Sequence, residues 1–114
     1  MKIHYLEIVT LDVEGICAAY AAVHNVKFSA SDALLGGAKT CALADGSFVG
    51  VRGPLRETET PVVRPYWLVD DIEEAVKRVT EQGAEIAVSP MEIPERGSFA
   101  IYLLGGIEHG LWQL

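Results

Sequence analysis

Two stretches of this chain repeat one signal, and that repeat limits the fold more than any other feature. Val13, Ile16, Cys17 and Tyr20 recur at i, i+3, i+4 and i+7, the spacing of one buried helix face. Asp12 stands just ahead, where a short acidic side chain can accept the free amides of a helix's first turn. The same spacing returns at Ile72, Ala75, Val76 and Val79 behind Asp71, so the openings read "DVE" and "DIE". Gly83 closes the second helix, where the left-handed conformation suits a residue without Cβ.

Strand signals of β-branched and aromatic residues flank both helices. "IHYLEIVT" precedes the first and "VVRPYWLV" the second. "VKFSAS", "AKTCALAD" and "SFVGVRG" follow the first helix, the last two joined by the turn pair Asp45-Gly46. "AEIAVSP", "SFAIYLL" and "EHGLWQL" follow the second, the last two joined by Gly105-Gly106. Each half therefore reads β-α-β-β-β, an α+β chain made by duplication of about sixty residues. "GPLRETETP" between the halves is polar, proline-bounded and aperiodic. The reading is a single domain over 1–114, with module 1 at 1–53, a linker at 54–61 and module 2 at 62–114. One module alone would expose an apolar sheet face, so the two are expected to combine about a shared cleft.

Length and composition bound what such a chain can do. At 114 residues, half of them hydrophobic, it is long enough for a core without staples. A net charge of −7 repels phosphate backbones and anionic lipid, which argues against nucleic acid and membranes as partners. No apolar run approaches the ~20 residues that span a bilayer. The start carries no signal-peptide pattern, so the expected setting is cytoplasmic. Cys17 and Cys41 are the only cysteines and lack a metal-site spacing.

"YLEIVTLD" and the long stretch from "PYWLVDDIEEAV" to "GGIEHGLWQL" resemble the vicinal oxygen chelate superfamily, which includes glyoxalase I, bleomycin-resistance proteins and extradiol dioxygenases. Within it they look like a glyoxalase-like branch whose members are called hydroxylases, down to the final Gly-Leu-Trp-Gln. The resemblance covers nearly the whole chain. It implies two curled mixed sheets forming a cleft between βαβββ modules, and usually a homodimer. Metal-using members place ligands on the first and last strand of each module. Counted from the capping acids, those positions are Tyr5 and Arg64, with Gly50 and Gly110 on the last strands. Tyrosine is a poor zinc ligand, arginine keeps its proton and glycine offers no donor, so no metal and no cofactor are expected.

If Tyr5 points into the cleft, side-chain alternation sends Glu7 the same way and turns His4, Leu6 and Ile8 to the other face. The expected ligand-binding residues are then Tyr5, Glu7, Arg64, Tyr66, Glu108 and Trp112. Glu7 with Arg64 can hold a substrate or close the modules as an ion pair. Tyr66 and Trp112 can stack on a ligand or form core. Glu7 is the catalytic candidate, as a general base or in an acid/base pair with Glu108. Cys17 is expected to pack inertly, and "PERGSF" to be a turn rather than a ligand loop.

Three functions compete on these residues. The first is a metal-independent small-molecule-binding protein whose cleft holds a partly aromatic or unsaturated molecule with an anionic end, or a neutral polar one if Glu7 already neutralises Arg64. The second is a glyoxalase- or dioxygenase-like enzyme of lyase, isomerase or oxygenase chemistry, using an unrecognised divalent metal or Glu7 as base. The third is an interaction domain whose cleft is filled by its own side chains.

Overall fold

A computed structural model describes residues 1–114. The chain runs β1 (Ile3–Val9), α1 (Val13–His24), β2 (Ser31–Asp32), a 3₁₀ turn (Ala33–Leu35), β3 (Ala38–Ala42), β4 (Phe48–Arg52), β5 (Val62–Leu68), α2 (Ile72–Glu81), β6 (Glu85–Ile93), β7 (Gly97–Leu104) and β8 (Ile107–Gln113). This is the expected α+β fold of two βαβββ modules. By contact it divides into two compact units, one of residues 6–63 and the other of residues 1–5 with 64–114. Strand β1 therefore gives its first residues to one unit and the rest to the other.

In the unit of residues 6–63 the strand order is β2-β3-β4-β1. The Asp12 carboxylate accepts from the Gly15 amide at 3.0 Å and starts α1 as its position suggests. Asn25 ends the helix in the left-handed conformation, with φ 54°. Val13, Ile16, Cys17 and Tyr20 all pack, half-buried, against Ile8, Val49 and Val51, so the face read from the sequence is the face turned to the core. Burial, the largest influence, also lifts the Cys17 thiol above its ordinary pKa.

One strand departs from expectation. "VKFSAS" yields only the two-residue β2, because Ser29 competes with the ladder. Its hydroxyl accepts from the Thr40 amide at 3.1 Å and lies 2.9 Å from the Thr40 hydroxyl. The Asp32 carboxylate then accepts from the Leu34 amide and turns the chain into the 3₁₀ segment.

In the other unit the order is β1-β5-β8-β7-β6, with β5 and β8 parallel and the β8-β7-β6 ladder antiparallel. Asp71 caps α2 by accepting from the Glu74 amide at 3.1 Å. Ile72, Ala75 and Val76 pack on Ala100 and Leu111. The Gln113 side-chain carbonyl accepts from the Ile72 amide at 2.7 Å, which satisfies a further donor of that first turn. Gly83 follows the helix at φ 96°. No helix is long and apolar enough to cross a membrane.

Candidate functional site

Strand alternation sorts the side chains of each unit into those facing its helix and those facing away. Ala100 and Leu111 face α2, so their neighbours Phe99 and Trp112, which pair across β7 and β8, face away from it. Tyr66 lies opposite Gly110 across β5 and β8. The result is an aromatic group. The Tyr5 ring lies 5.4 Å from Tyr66 and 5.6 Å from Trp112, Tyr66 lies 6.0 Å from Trp112, and Phe99 lies 6.2 Å from Tyr66. The last two contacts are edge-on, the arrangement that ring quadrupoles favour. His4, sent by alternation to the opposite face, has its ring 5.4 Å from Trp112 and joins the group.

Tyr5, Tyr66 and Trp112 are all buried. Trp112 also donates its indole N–H to the Arg96 carbonyl at 3.1 Å, fixing the ring from the "PERGSF" turn. That turn is tight: the Arg96 amide reaches the Ile93 carbonyl at 2.9 Å. Gly110 is where the last ligand of the second module would stand, and its missing side chain leaves no room. A Cβ there would lie 2.4 Å from the Tyr66 ring and 2.8 Å from the Pro65 carbonyl. Glycine is required so that Tyr66 can lie across the strand.

Arg64 stands two residues before Tyr66 on the same side of β5 and is only 4 % exposed. Its Nη2 donates to the Glu108 Oε1 at 2.7 Å. The partners differ in exposure: the arginine side chain is 5 % accessible and the glutamate 43 %. A buried cation is therefore met by a carboxylate that reaches solvent.

The unit of residues 6–63 carries a second charged group. Glu7 is buried, and its Oε2 accepts from Arg52 Nε at 2.9 Å. The other end of the same guanidinium grips Glu59 in a two-pronged contact, Nη1 to Oε1 at 2.7 Å and Nη2 to Oε2 at 2.8 Å. Glu59 Oε1 also accepts from the Leu55 amide, and Arg52 Nη1 reaches the Gly53 carbonyl. Glu59, more than Glu7, holds the guanidinium pKa above its already high value, against the downward pull of burial. The polar segment read as a linker is thus pinned through Leu55 and Glu59.

Arg52 and Glu59 were not among the expected site residues. Arg52 was within reach of the sequence, since it lies two residues beyond Gly50 and alternation puts both on one face. Glu59 gave no signal, because its segment has no period.

The positions that would hold a metal do not fit one. Gly50 and Gly110 bring no donor, Arg64 is a cation bonded to Glu108, and Tyr5 lies among rings. No three His, Cys, Asp or Glu side chains gather as a ligand set. His109 stacks on Tyr102 with ring centroids 5.0 Å apart, and its Nε2 lies 3.1 Å from the Leu104 carbonyl.

These features sit on the α+β fold of tandem βαβββ modules that the resemblance implies. No family model and no curated protein matches the sequence. Solved structures do match the fold. A methylmalonyl-CoA epimerase from Mycobacterium tuberculosis is similar at a TM-score of 0.75 and 12% identity, covering 97% of this chain and 86% of that one. A hypothetical protein from Bacillus halodurans is similar at 0.72 and 16% identity, covering 99% and 94%. A variant methylmalonyl-CoA epimerase from Streptomyces coelicolor, in complex with 2-nitronate-propionyl-CoA, is similar at 0.71 and 12% identity, covering 99% and 96%.

Proposed function

We propose that this protein binds a small organic carboxylate without the help of a divalent metal, with Arg64 taking the acidic group. The observation that carries this reading is the buried Arg64 guanidinium directed at the partly exposed Glu108. Arginine keeps its charge at any relevant pH and offers a planar fork that matches a carboxylate. Tyr66, next to it on the same side of β5, belongs to an aromatic group suited to an unsaturated or acyl portion. Proteins of this fold supply a chemical precedent, one being a methylmalonyl-CoA epimerase in complex with methylmalonyl-CoA. The two cysteines are free, which suits a reducing compartment, and the cytoplasm is the proposed setting.

A thermal-shift screen of small carboxylates and acyl-CoA thioesters, repeated with Arg64→Leu, tests the reading. Affinity for any hit should fall in the variant by roughly 1.5–3 kcal/mol, about tenfold to a hundredfold, the scale of one charged hydrogen bond. A hit that binds both proteins equally would remove Arg64 from the site. Turnover of the hit, abolished by Glu7→Gln, would move the protein to the enzymatic class.

A homodimer belongs to the same proposal. β6 is a nine-residue edge strand, and Leu103, Leu104 and Ile107 stand exposed about the β7–β8 turn. A second copy would cover an edge and a patch that natural sheets rarely leave open. Light scattering should give twice the chain mass, and a monomer mass would overturn this part.

A further inference from the structure

We propose that Phe99 and Met91 are the specificity-determining residues of the binding site, and that its ligand is an arylalkanoic acid, an aromatic ring held several carbons from a carboxylate. This rests on the binding function proposed above and names its ligand class. Burial sorts the rings of the aromatic group. Tyr5, Tyr66 and Trp112 are each at most 3 % exposed, so a ligand can reach little of their surface. Phe99 shares their group but is half-buried, on the side of the sheet away from α2. Directly opposite it on β6, and therefore on the same side, Met91 is 55 % exposed.

Strand β6 breaks its ladder to bring Met91 there. Val88 pairs with Ile101 and Met91 with Phe99, so three steps along β6 match two along β7. The extra residue falls between Val88 and Met91. In an unbroken ladder Pro90 would face Phe99, and Met91 would turn to the α2 side. Bulges re-aim side chains in this way and are frequent beside active sites. The pair they create here discriminates. A thioether makes favourable contacts with ring edges, and ring faces attract ring edges, so both residues favour an arene over a saturated group of equal size.

The register also separates the two ends of the ligand. Arg64 and Glu108 share one row across the strands. Tyr66, Gly110 and Ile101 share the next, and Trp112, Phe99 and Met91 the one after. Glu108 and Trp112 are four residues apart, roughly 13 Å along β8, and the side chains shorten that span. Benzoate, whose ring joins its carboxylate directly, is too short to touch both ends. A chain such as that of 4-phenylbutanoate supplies the separation.

The test is calorimetric titration of the full chain with 4-phenylbutanoate, its saturated analogue 4-cyclohexylbutanoate, and benzoate. Wild type should bind the arene about threefold to tenfold more tightly than the saturated analogue, the worth of an aromatic contact beyond its area. Phe99→Leu keeps apolar bulk but removes the ring, so it should erase that preference and leave benzoate unaffected. Met91→Ala, at an exposed position, should weaken the arene by about threefold, the scale of a sulfur–ring contact. Should Phe99→Leu not fold, Met91→Ala carries the comparison. A preference unchanged in the variants, or a wild type that binds neither butanoate, would overturn the proposal. The two readings fail separately. Arene binding that falls in Phe99→Leu but not in Arg64→Leu keeps Phe99 and Met91 as the binding surface and removes the Arg64 anchor. A carboxylate that needs Arg64 but binds Phe99→Leu and Met91→Ala as it binds the wild type keeps the binding function and removes their role.

Discussion

Replacing Trp112 by alanine should destabilise the protein by about 3–5 kcal/mol, the usual cost of emptying a buried indole site. The ring is 1 % exposed and lies against His4, Tyr5 and Tyr66. Its loss would leave a cavity that neighbouring strands cannot close without breaking register. It would also strip the Arg96 carbonyl of its indole donor. Urea unfolding should show a midpoint lowered in proportion, with the slope unchanged. Trp112→Phe separates the two contributions, since it keeps most of the packing and loses only the hydrogen bond. A loss below about 1 kcal/mol in the alanine variant, the level of a surface change, would mean that the aromatic group is not core.

Arg52→Leu should be comparably damaging, by about 3–5 kcal/mol, through charge rather than volume. The guanidinium is shared by Glu7 and Glu59, whose side chains are 8 % and 14 % accessible. Without it two carboxylates face each other's field in poor solvent. Adding Glu59→Gln to Arg52→Leu should recover a large part of the loss, because one of the stranded charges is then gone. Simple additivity of the two substitutions would show that the contacts are independent. Glu59 also accepts from the Leu55 amide, so the single Glu59→Gln change should loosen residues 53–61 in hydrogen exchange before it affects the strands.

Much of the fold was legible because its strongest signals are local. A capping acid and an i, i+3, i+4, i+7 face need only a dozen residues to be recognised, and both helices begin and pack where those residues place them. The strand β2 was not legible, since the side chain of Ser29 makes the bond that the ladder would have made, and hydroxyl competition leaves no mark on hydropathy. The closing Gly-Leu-Trp-Gln carried the resemblance, and the structure gives each residue a structural task. Gly110 admits the Tyr66 ring, Leu111 packs under α2, Trp112 centres the aromatic group and Gln113 meets the first turn of α2. Only the parallel register of β5 with β8, a contact between distant segments, shows that a tyrosine lies over Gly110. Arg52 needed one more step of the period-two count, and Glu59 needed the tertiary structure itself.

The division of β1 has a consequence for how fast the protein can fold. Tyr5 packs against the rings of Tyr66 and Trp112, 61 and 107 positions further along the chain. The Lys2 carbonyl likewise accepts from the Leu68 amide. Joining the first residues of β1 to the rest of their unit therefore closes very long loops, the kind of distant contact that makes folding slow.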